Sequence, residues 1–267
     1  MRRLSPSAVM IGLAAALAVL GAISLMAGRV WVPLDAWRTD DPGWIIILEL
    51  RIPRTLLAMV VGAALGMSGA ALQGYTRNPL ADPGVLGVSS MAALGAVVSL
   101  YFGFYVPALA GIAWLMPLCA MAGALIGVLV LIGLTGSAPG TVTFVLAGVV
   151  LNIVAGAGVA LALNLAPNPW AVNEIVNWLM GSLTDRSLAD LQMAAPFVAV
   201  GLGLLLATGR AQDALTLGEA GAQSLGISLS RTRLLLALGV GLAAGASVAV
   251  TGVIGFVGLV TPHLLRP

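Results

Sequence analysis

Apolar stretches of roughly 20 residues, long enough to cross a bilayer core about 30 Å thick as helices, recur along the whole chain. They lie at 8–28, 55–75, 85–105, 107–134, 142–164, 188–208 and 232–251, with a shorter one at 253–265. In lipid the backbone must satisfy its own hydrogen bonds, and a helix does so within one segment. The pattern therefore predicts an all-α, polytopic membrane protein with about eight transmembrane helices. Composition agrees: 60% of residues are hydrophobic and 8% charged, against about 25% charged in a soluble domain. Residues 232–265 are almost unbroken apolar sequence, yet a straight helix of that length would reach about 50 Å. The chain must turn back, and Thr251-Gly252, Gly255 and Gly258 are the expected place, because glycine weakens a helix by about 1 kcal/mol and reaches positive φ.

Arg2 and Arg3 before the first stretch place the N-terminus in the cytoplasm by the positive-inside rule. Alternation then puts Arg77, Arg210, Arg231, Arg233 and Arg266 inside as well, and Arg29, Arg38, Arg51, Arg54 and Arg186 outside. A cleaved signal peptide is the rival reading of residues 1–28, although the apolar run is longer than such peptides carry. A net charge of +2, spread over short loops, offers no patch for nucleic acid. Cys119 and His263 are each the only residue of their kind, so no intrachain disulfide, metal site or cofactor is expected. GxxxxGK[ST] is absent, so any ATP hydrolysis must belong to a partner. An ion-coupled secondary transporter is the competing class; such carriers place ionisable groups deep in their spans, and here none lies there.

Several local patterns carry possible function. Gly62, Gly66 and Gly69 share one helix face and permit close helix packing. Gly148, Asn152 and Gly156 form a similar row, and Asn152 sets an amide near mid-membrane, to bond a neighbouring helix or to line a path. Ser68 and Thr251 carry the same two readings. The turn from Tyr75 to Gly84 contains Pro79 and Pro83, which disfavour helix at the residues before them and make a stiff, irregular connection. Arg51-Ile52-Pro53-Arg54 places two guanidiniums before a span, where they can snorkel to the membrane surface. Residues 165–187 read as a short interfacial helix, with Trp170 and Trp178 at the level of an aromatic belt. Residues 215–227 are too short and polar to span and suit one or two small helices on the inner membrane face.

These segments resemble, over nearly the whole chain, the permease subunits of ATP-driven importers for ferric siderophores, haem and vitamin B12. The resemblance rests on RIPR at 51–54, Asn78-Pro79-Leu80, Leu146-Ala147-Gly148, WLMGSL at 178–183, Glu219-Ala220 followed by Leu225-Gly226, and GVIGFVGLVTPHLLRP at 252–267. It implies one transmembrane permease domain over 1–267, shortened at its C-terminus relative to a family of ten spans, with a non-transporting remnant as the alternative. It implies a cytoplasmic gate formed by Asn78, Leu80, Thr141 and Val142. Arg51 and Arg54 would dock an extracytoplasmic substrate-binding protein through its glutamates, a pairing suited to the planar guanidinium fork. Glu219, Ala220, Leu225 and Gly226 would seat on an ATPase subunit. The implied partners are a second permease subunit, two cytoplasmic ATPase subunits and the binding protein, in the cell membrane. The choice among chelates is not encoded in these motifs.

Overall fold

A computed structural model describes residues 5–28, 31–32, 37, 42–112, 114–136 and 140–265. The arginines 2, 3, 29, 38 and 266 that entered the orientation argument lie outside the described residues. In chain order the helices are α1 (Pro6–Met26), α2 (Pro42–Ile45), a π-helical segment (Ile46–Arg51), α3 (Ile52–Thr76), a 3-10 turn (Pro83–Leu86), α4 (Val88–Tyr105), α5 (Pro107–Ala110), α6 (Leu115–Thr135) and α7 (Thr141–Asn164). There follow α8 (Pro169–Leu179), α9 (Leu188–Ala207), α10 (Gly209–Leu215), α11 (Gly218–Ser224), α12 (Leu229–Thr251) and α13 (Val257–Leu265). Seven helical stretches among the described residues are long and apolar enough to cross a membrane. The all-α polytopic expectation holds. In the eighth stretch, 253–265, the described residues form a helix only from Val257 to Leu265, 9 residues.

The helices group into two compact units. The first comprises the described residues of 1–59 together with 183–191. Its helix α1 is apolar all round and exposed from Ser7 to Leu20, as suits a helix whose solvent is lipid. The second span starts earlier than expected. Helix runs without a break from Gly43 to Thr76, so 42–54 is not an outer loop and Arg51 and Arg54 lie within the helix. Pro53 obscured this in the sequence, since it cannot donate to the residue four back and its ring crowds that carbonyl. The chain accommodates it by the wider π register just before: Ile52 N–H bonds the Ile47 carbonyl, five residues back.

The second unit comprises the described residues of 60–182 and 192–267, and its packing depends on small residues. Helix α12 is buried on nearly every side; Ala243 and Ala246 meet Ala64 of α3 and Val198 of α9, while Ala249 meets Ala96 and Ala120 of α4 and α6. Helices α4 and α6 approach until backbones touch, with a Cβ on Gly123 falling 2.2 Å from the Met91 carbonyl. Without a hydrophobic force between helices in lipid, such van der Waals contact supplies the association. The break after α12 falls at Gly252 (φ 70) as expected, but the second left-handed residue is Phe256 (φ 65), not a glycine. Gly258 lies inside α13, where its backbone is pressed against Gly69 of α3.

Candidate functional site

At one end of the second unit, four segments that the sequence singled out separately converge. The first is the turn after α3. Arg77 takes φ 53 and ends the helix. Asn78 Oδ1 then accepts from Leu80 N–H at 3.0 Å, and the Asn78 carbonyl accepts from Ala81 N–H at 3.1 Å, a β-turn with asparagine first and proline second, as those residues favour. Asp82 accepts from Gly84 N–H at 2.8 Å, capping the 3-10 turn with Pro83 at its first position. Pro79 is thus a turn former, and the tip is exposed, Leu80 by 69%. Beneath it the buried Gln73 donates from Nε2 to the carbonyls of Ala81 (3.4 Å) and Leu259 (3.1 Å). The sequence reading did not single out Gln73; a lone glutamine in an apolar helix was the available signal.

The second segment is the start of α7. The turn lies directly on it: a Cβ on Gly148 would fall 2.7 Å from the Val85 carbonyl, which explains the glycine of LAG. Tyr75 and Phe144, both buried, meet edge to face with centroids 5.6 Å apart, a preferred aromatic geometry. The third is α11, whose Glu219 Oε1 accepts from both the N–H (3.2 Å) and the hydroxyl of Thr141. The fourth is the start of α12, where the buried Arg233 donates to the Gly136 carbonyl at 3.4 Å. Val142 is exposed by 71%. Ala220, Leu225 and Gly226 are also exposed, and Gly226 (φ 81) closes α11 with Ile227 N–H on the Ala222 carbonyl, a Schellman end.

The three path candidates separate by burial. Ser68 and Thr251 are 0% and 1% exposed; Thr251 Oγ1 donates back to the Ser247 carbonyl at 2.9 Å. Both belong to packed interior. Asn152 is exposed on α7 beside Val149 and Ile153, and its Oδ1 accepts from Ser90 Oγ. WLMGSL and GVIGF, read apart in the sequence, form one joint: Ser182 N–H bonds the Thr251 carbonyl at 2.7 Å, and Cβ atoms on Gly181 and Gly252 would each fall 2.3 Å from a carbonyl oxygen of the other segment.

In the first unit a cavity of about 630 Å³ is lined by Gly28, Ile46, Leu50, Arg51, Arg54, Thr184 and Asp185. The two arginines differ. Arg51 is only 5% exposed, and its Nη1 donates to the carbonyls of Leu25 (2.9 Å) and Met26 (2.6 Å) at the end of α1, where a cation complements the helix dipole. The expectation of two guanidiniums at the membrane surface therefore fails for Arg51. Arg54 is half-buried at the cavity.

Seven helices long and apolar enough to cross a membrane, with α10 and α11 too short and polar to do so, define a polytopic helical membrane protein. The chain belongs to the FecCD transport family, whose model matches residues 16–267. It is 37% identical to the uncharacterised ABC transporter permease protein YvrB of Bacillus subtilis (strain 168), over 94% of this chain and 74% of the relative. It is 36% identical to the vitamin B12 import system permease protein BtuC of Klebsiella pneumoniae, over 96% of this chain and 75% of the relative. Its fold matches an inward-facing structure of an ABC transporter assigned to the metal-chelate type, with TM-score 0.86 and 29% identity over 97% of this chain and 80% of that one. The chain is accordingly an ABC transporter permease, a component of a membrane transport system.

Proposed function

We propose that the protein is the permease subunit of an ATP-driven importer that carries a ferric siderophore, haem or cobalamin-type chelate across the plasma membrane by alternating access. A second permease subunit, two cytoplasmic ATPase subunits and an extracytoplasmic substrate-binding protein complete it. The observation that supports this most directly is the meeting of α11 with the start of α7 through Glu219 and Thr141, beside the 3-10 turn 83–86 that packs on the same helix. Asn78, Leu80, Thr141 and Val142 act as the gate; of the four residues expected to seat on the ATPase, the exposed Ala220, Leu225 and Gly226 present the contact, while Glu219, half-buried against Thr141, lies behind it. Arg54, with Arg51 holding the helix that carries it, docks the binding protein. The N-terminus and α10–α11 are cytoplasmic, as the six spans between them require if either is. Cysteines introduced at Ser5 and Ser224 in a Cys119→Ala background should both resist an impermeant label in intact cells, and labelling of either would refute the topology.

Leu225 is apolar and 62% exposed on the segment proposed to face the ATPase. Leu225→Glu should abolish co-purification of the ATPase while the permease still reaches the membrane. Gly226 is a poorer probe, because its positive φ strains any substitute. Unchanged co-purification would mean that α10–α11 lie only on the bilayer. Deletion of the locus, followed by uptake assays with labelled cobalamin, haem and ferric siderophores, identifies the chelate; undiminished uptake of all three would reject the import reading.

A further inference from the structure

Helix α7 begins without a side-chain cap of its own, since its N-cap residue is Gly140. Its opening N–H groups must find partners elsewhere. Thr141 finds one 78 residues away in the chain: Glu219 Oε1 accepts from its N–H at 3.2 Å and from its hydroxyl as well. A carboxylate is well suited there, because the N-terminus of a helix carries partial positive charge. Both residues are half-buried, so screening by solvent is reduced. Glu219 occupies the first turn of α11. Tyr75, three residues before Asn78, reaches the same point: its ring packs on Phe144, one turn into α7, and its hydroxyl faces Thr141 with Glu219 and Arg233 in electrostatic range.

We infer that Glu219 is the positioning residue that ties the ATPase-facing helices to the gate, accepting from the first N–H of α7 so that a displacement of α11 carries Thr141 and Val142 with it. This rests on the proposed roles of α10–α11 as ATPase contact and of Thr141 and Val142 as gate. Glu219 touches no transported molecule; it acts through the first turn of α7. Gln at this position keeps an oxygen acceptor for Thr141 N–H, whereas Ala removes it.

The test uses the full permease assembled with its ATPase subunits, carrying Val142→Cys in a Cys119→Ala background. The rate at which a water-soluble maleimide modifies the introduced thiol is measured without nucleotide and after trapping with ATP and vanadate. In the parent the two rates should differ about tenfold, within the usual range of coupling between sites. Glu219→Gln should keep most of that ratio. Glu219→Ala should bring it close to one while the ATPase still co-purifies and hydrolyses ATP, a result that mere structural damage would not give. A parental ratio in Glu219→Ala with ATPase bound overturns the inference and leaves the gate and contact assignments standing. Loss of ATPase binding in Glu219→Ala overturns it too, making Glu219 a direct ATPase contact, and so does a Glu219→Gln variant as uncoupled as Glu219→Ala. A parent with no nucleotide response removes the gate assignment and this inference with it.

Discussion

Gly69→Ala is expected to cost at least about 3 kcal/mol, the upper part of the range for overpacking, and Gly62→Ala almost nothing. A Cβ on Gly69 would sit 1.8 Å from the Gly258 carbonyl oxygen and 2.5 Å from its carbon, whereas one on Gly62 meets nothing within 4 Å. The clash is with backbone, so no rotamer change relieves it. Gly258 is itself crowded, since a Cβ there would fall 2.6 Å from the Pro83 ring. Heating the detergent-solubilised permease and following its monodisperse peak should show a midpoint lowered by roughly 10 °C for Gly69→Ala, at about 2–4 °C per kcal/mol. An unchanged midpoint would mean that α3 and α13 do not touch at these residues. Because α13 and the turn 78–81 are joined through Gln73, damage at this crossing should reach the proposed gate before it reaches the distant helices.

The second large effect separates Arg51 from Arg54. Arg51→Glu removes the donor to the Leu25 and Met26 carbonyls and sets a carboxylate among oxygens; breaking a buried charge arrangement in this way typically costs about 3–5 kcal/mol. Arg54→Glu should leave thermal stability nearly unchanged and instead weaken capture of the binding protein. A charge at an interface rim acts chiefly on association and is screened over about 8 Å at physiological salt, so the loss should shrink as salt rises. Charge reversal of the docking glutamates on the binding protein should restore Arg54→Glu and fail to restore Arg51→Glu. Equal thermal stability of the two variants would return Arg51 to the surface, and salt-independent binding by Arg54→Glu would end its docking role.

Seven of the spans were legible in the sequence because apolar length is a property of one segment against the bilayer, requiring no knowledge of its neighbours. The turn after Tyr75 was legible for the same reason: Asn78, Pro79, Asp82 and Pro83 act on backbone within a few residues of themselves. Gly252 likewise declared the break after α12. Pro53 misled, since a helix that absorbs proline through a π turn looks from sequence like a helix that starts after it. The tertiary structure alone decided that Gly69 is pressed against another backbone and Gly62 is not, that Arg51 is buried and Arg54 only half-buried, and that Gly181 and Gly252 form one joint. It alone joined Glu219 to Thr141. Each of these depends on where a segment remote in the chain passes, and a glycine, an arginine or a glutamate reads the same in sequence whether another backbone is pressed against it or nothing is.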